Sequence, residues 1–170
     1  MNPKLTDMFL HELDTEAAAT RRTLQRVPEG RNDWKPHPKS MELGYLAGLV
    51  ATLPGWVSLM VDQDDLDLHP VGGKPLRSPM ADSNEALLEL FDQSVAAAKR
   101  SLENTTDAHL LTHWRLLMGG HAISDEPRYQ ALRGGVFNHL AHHRGQLTVY
   151  LRLNEAAVPA IYGPSADEQF

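Results

Sequence analysis

The stretch "FNHLAHHRGQL" places three histidines within five residues, at positions 139, 142 and 143. Imidazoles so grouped can ligate a metal, exchange protons, or simply sit at a surface. Read as a helix, the segment carries an apolar stripe of Leu132, Val136, Leu140, Leu147 and Leu151. His139 and His143 lie about 40° apart, on or beside that stripe, one turn from each other. That is the spacing two neutral imidazoles need to share one cation, with Zn, Ni, Fe and Mn as candidates. His142 is turned by about 100° from His143, which puts it at the edge or on the surface. The same spacing also arises by chance in a chain with nine histidines. Two ligands moreover make an incomplete site, because catalytic zinc normally takes three protein ligands and a water.

Neighbours of the pair carry weaker signals. Arg144 and Gln146 could support metal ligands or touch a substrate. An interhelical salt bridge and a hydrogen bond at a buried edge are the favoured readings. A second pair at the same spacing, His109 and His113 in "DAHLLTHW", falls in a stretch of ambiguous structure and reads as surface. His37 sits between prolines, packed beside Trp34 rather than catalytic, and His11, His69 and His121 read as ordinary. No Ser-His-Asp order, phosphate loop or pair of inward carboxylates is present.

Four segments have the periodicity to position these groups. Leu5, Phe9, Leu13, Ala17 and Leu24 form one face of the first. The second comes after "KPHPKS", with Ser40 as its N-cap and an apolar face from Leu43 through Met60. Pro54 within it should remove a backbone bond and bend the helix. The third opens at "ADSNEALLELF", capped by Asp82 or Ser83. The fourth starts near "SDEPRY" and runs to about Asn154. "DLDLHPVGGKPLRSP" reads as a long surface loop. Residues 107–123 read either as a hairpin turning at Gly119-Gly120 or as a helical turn and loop. The expectation is a single domain over residues 1–170, all-α, an up-and-down four-helix bundle.

Composition narrows the function classes. A formal charge of −6 argues against a nucleic-acid partner. With no cysteine, disulfides, thiolate zinc sites and a cysteine nucleophile are excluded. The acidic "MNPKLTDMFLHELD" does not resemble a signal peptide. The apolar run from Leu43 to Met60 is interrupted by glycines, Pro54 and hydroxyl residues, short of the roughly 18 apolar residues of a span. A cytoplasmic protein with no membrane partner is expected.

Taken whole, "NHLAHHRGQLTVYLRL" with "VPAIYGPSADE" after it resembles the end of the DinB-like superfamily, also called YfiT-like metal-dependent hydrolases. "WKPHPKSMELGYLAGLVATLPGW" and "HWRLLMGG" leading to "EPRYQALRGGVFNH" agree with it, so the resemblance spans nearly the whole chain. It implies a four-helix bundle, often a homodimer, with one divalent metal on three histidines. It also implies a thiol-dependent transferase, isomerase or hydrolase acting on a small molecule. Two of the ligands map onto His139 and His143. The third would come from the second helix, in a segment of the form "LG-x-LA-x-H-V-A-x-LPGW". Against "LGYLAGLVATLPGW" that histidine falls on Leu49.

Leucine cannot bind a cation, and Leu49 shares a face with Leu46, Leu53 and Trp56. The nearest acid, Glu42, is two turns away, roughly 10 Å along the axis. A divalent metal here is therefore expected to be weakly held or absent. Three functions are compatible with these residues: a metal-dependent enzyme using His139 and His143, a metal-free small-molecule binder walled by Leu49 and Trp56, or a dimerising domain without catalysis.

Overall fold

The computed structural model describes residues 4–169. Helix α1 (Leu5–Leu24) is succeeded by α2 (Leu43–Thr52), a single 3-10 turn (Leu53–Gly55) and α3 (Trp56–Asp62). Strand β1 (Asp65–Asp67), α4 (Asn84–Glu103) and the short α5 (Asp107–Leu110) come next. The hairpin β2 (His113–Met118) and β3 (His121–Pro127) leads into α6 (Arg128–Leu132), a π-helical segment (Arg133–Asn138) and α7 (His139–Leu153).

Several of the predicted features form where the periodicity placed them. The apolar stripe of α1 buries Phe9, Leu13 and Leu24, and α4 buries Leu87, Phe91, Ala98 and Leu102. Ser83 caps α4, its hydroxyl accepting from the Ala86 amide at 3.1 Å. Helix α4 lies against α1, α2 and α3, while α7 closes onto α2 and α1. One apolar cluster gathers Leu46, Val50, Phe91, Leu147 and Leu151. A second gathers Met60, Leu102 and Leu132 around the stacked rings of Phe9 and Phe137, 5.6 Å apart.

The expected all-α four-helix bundle is corrected: the fold is mixed α/β. A three-stranded sheet in the order β1-β2-β3 packs beside the helices. β2 and β3 pair antiparallel, with Met118 opposite His121, and the turn is Gly119-Gly120 at φ 62° and 79°. Two successive positive φ angles make the tight hairpin turn that glycine pairs favour. β1 adds to β2 in parallel, so Asp65 to Asp67 leave the stretch read as a loop. Trp114 is the one buried residue of the two hairpin strands, so they carry too little apolar alternation for periodicity to mark. Accordingly "SDEP" is strand, and the fourth helix begins only at Arg128.

Two further expectations change. Glu42, not Ser40, precedes α2, and no side chain caps it. Pro54 does more than bend the second helix, replacing a turn of α-helix with 3-10 geometry and splitting α2 from α3. The segment Leu43–Asp62 has a mean hydropathy of 1.5 over a membrane-sized window, more apolar than its interruptions suggested. Its apolar side chains are largely used against the other helices, with 61% of that window buried.

The fully buried Arg128 joins sheet to helices. Its guanidinium donates to the Gln63 carbonyl at 3.1 Å, to Thr112 at 2.8 Å and to the His113 carbonyl. It also pairs with Asp64 at 2.6 Å. These bonds fix where β1 and β2 leave their neighbouring helices, and hence where the hairpin tip sits.

Candidate functional site

Immediately before His139 the helix widens into the π-helical segment Arg133–Asn138. Such a segment accommodates an extra residue in a turn, rotating the downstream helix by about 100° relative to an uninterrupted one. Its Gly135 carbonyl lies 3.3 Å from His139 Nδ1. A carbonyl only accepts, so in the Nδ1–H tautomer this bond forms and Nε2 keeps its lone pair for a cation. One turn on, His143 Nδ1 lies 2.8 Å from Gln146 Oε1, an acceptor that favours the same tautomer there. The two Nε2 atoms face each other at 2.8 Å.

Burial pushes the proton affinity of both rings below the ordinary histidine range, and each ring is further disfavoured by charge on the neighbouring histidines. Two neutral imidazoles with unprotonated nitrogens at this distance repel unless a proton or a cation lies between them. The gap is one that two metal–nitrogen bonds of about 2.0–2.1 Å can bridge. A backbone carbonyl and an amide oxygen on the far nitrogens are the partners that orient metal-bound histidines elsewhere. Among the described residues, however, no group of three histidines and carboxylates gathers here.

Beside the pair lies a cleft of about 650 Å³. His139, Leu49 and Trp56 all face it, and the Trp56 ring meets His139 edge-on at 6.3 Å. Leu49 is half-buried, so it lines the cleft as well as packing on the core. The opposite wall is the 68–80 segment and Met118 at the end of β2. Segment and helix approach so closely at Gly48 that a Cβ there would stand 1.9 Å from the Pro79 carbonyl oxygen. Thr52 fastens the same contact through Ser78 Oγ at 3.1 Å. The far end is tied by Asp67, which accepts from the His69, Gly119 and Gly120 amides.

The remaining candidates separate. His142 is exposed, 4.9 Å from the His143 ring and outside the cleft. Arg144 points the other way, buried against α1: it pairs with Glu16 at 2.6 Å and donates to Thr20 at 2.9 Å. Tyr162 completes that cluster by donating to Glu16 at 2.8 Å. Gln146 alone of the two reaches the histidines. Sequence reasoning missed the Gly135 carbonyl, the 68–80 wall and Met118. Of these, only Met118 had a signal in the sequence, the Gly119-Gly120 turn beside it.

The fold is shared with solved proteins. A DinB-like protein from Bacillus cereus superposes with a TM-score of 0.70 at 22% identity, over 91% of this chain and 95% of that one. The DinB-like protein YjoA from Bacillus subtilis gives 0.64 at 15% identity, over 88% and 93%. No curated protein matches the sequence. The sequence model of the DinB family matches residues 1–169, which include the paired histidines, the Leu49 helix and the hairpin. The chain belongs to the DinB family.

Proposed function

We propose that this protein binds a small molecule in the cleft beside His139, with a divalent cation, Zn, Ni, Fe or Mn, held by His139 and His143. The observation that carries the reading is the facing pair of Nε2 atoms at 2.8 Å, with an oxygen acceptor within reach of each Nδ1. When bound, such a cation acts as a Lewis acid and lowers the pKa of a coordinated water or thiol, the chemistry of a hydrolase or thiol-dependent transferase. The chain's own residues do the rest. Gln146 and the Gly135 carbonyl favour the tautomer that turns each Nε2 lone pair to the cation. Trp56 limits how far the His139 ring can turn. The segment from Leu68 to Pro79 forms the wall opposite Leu49 and Trp56. Leu49 leaves more of the coordination sphere to water or substrate than a third histidine would, and makes the cation exchangeable.

A second reading is a metal-free small-molecule binder, favoured by Leu49 standing in the cleft wall. One titration separates the two. Untagged protein is titrated with Zn and Ni beside His143→Ala and Leu49→His, with bound metal measured directly. Near-stoichiometric binding in the natural protein, lost in His143→Ala, supports the cation site. Binding only in Leu49→His overturns it and leaves the metal-free binder.

A further inference from the structure

We propose that the cleft selects an organic anion with an apolar body, its carboxylate held by Arg77. This deepens the reading that the cleft binds a small molecule, but does not depend on the cation. The chain has 22 acidic residues against 16 basic ones, yet none of the acids lines this cavity. Its walls are Leu49, Trp56, Leu59, Leu68, Leu76 and Met118. Arg77 is the one permanently charged side chain among its lining residues.

Seven of the ten other arginines hold carboxylates of the protein itself; Arg77, like Arg26, Arg31 and Arg100, has no ion-pair partner among the described residues, and it alone of these four lines the cleft. It is exposed, on a segment whose position is fixed on both sides. Leu76 N donates to the Leu68 carbonyl at 2.8 Å, and Ser78 is held by Thr52. A guanidinium fork at the rim of an apolar cleft matches a carboxylate in two parallel hydrogen bonds. The apolar body then displaces water from Trp56 and Leu49. A neutral molecule of the same shape gains only that second part, and a dianion finds only one partner.

The test compares 1-naphthoate with 1-naphthamide on protein stripped of metal with a chelator, read by tryptophan fluorescence or calorimetry. A charge-assisted bond at a rim is expected to favour the acid by about tenfold, less at high salt. Arg77→Gln should remove the preference while leaving amide binding unchanged, and Arg77→Lys should keep part of it. Equal affinity for both compounds, no binding of the acid, or a preference that survives Arg77→Gln overturns the proposal. Repeating the titration after adding Zn keeps the two readings apart. A preference that appears only with Zn and ignores Arg77 places the anion on the cation instead and also overturns it. A preference in stripped protein that cannot take up Zn upholds the anion site while the cation site fails.

Discussion

Two histidine pairs share one spacing in this chain and have opposite fates. His139 and His143 stand on one uninterrupted stretch of helix, rings 4.6 Å apart, each with its outer nitrogen occupied. His109 and His113 are also four residues apart, but the helix between them ends at Leu110. His109 turns inward to the Val61 carbonyl at 2.8 Å. His113, already on β2, bonds the exposed Asp125 at 2.7 Å. Spacing four places two imidazoles together only where the backbone stays helical through both. Equally, each member of the second pair has its own protein partner, whereas the first pair has two nitrogens left over, facing each other.

The sharpest way to break this contrast is to remove one member of each pair. His143→Ala should lower affinity for Zn or Ni by about 100-fold or more, while His113→Ala leaves it unchanged; direct metal titration decides. If both variants lose metal equally, the helical pair is not the site. A smaller effect belongs to the group that orients the ring. Gln146→Leu should weaken metal binding by about 10- to 100-fold without loss of helix, because His143 is then free to rotate or change tautomer. Unchanged affinity would mean the ring is held by packing alone.

For the other pair the expected loss is of stability and not of ligand. His109→Ala removes the bond to Val61 that ties α5 to the end of α3. About 1 kcal/mol should disappear from denaturant unfolding, with metal affinity intact. The mildest effect is that of pH on metal-free protein. The folded His139 and His143 bind protons less readily than ordinary histidine, whose pKa is 6.5, so the unfolded chain takes up more protons. Stability should therefore fall as pH drops through about 6.5 and level off below the depressed folded values. Saturating Zn should deepen that dependence, since protons then compete with the cation. In His139→Ala/His143→Ala the slope should flatten.

Much of the frame was legible. The stripes of α1 and α4 bury on the faces their periodicity marked, and Ser83 caps where a hydroxyl before an acidic first turn should. The glycine pair offered the hairpin turn as one of two readings, and residues 107–123 hold both a helical turn, α5, and that hairpin. Short strands were not legible, because β1 is three residues that become a strand only by pairing with β2 some 50 positions later. Nor was the π-helical segment Arg133–Asn138, because one extra residue in a turn leaves the apolar spacing on either side intact.

Sequence alone determined which residue types are available for chemistry: two imidazoles one turn apart, a leucine at the third position of the family resemblance, and no thiol anywhere. Those are facts of side-chain type and local helical geometry, and a helix keeps them wherever it packs. Tertiary structure decided what they can do. It supplied an acceptor for each Nδ1, from a widened helical turn and from Gln146. By docking the 68–80 segment on Gly48, it brought Arg77 and Met118 to the cleft of Leu49 and His139. Such contacts join positions far apart in the chain, so no local pattern encodes them.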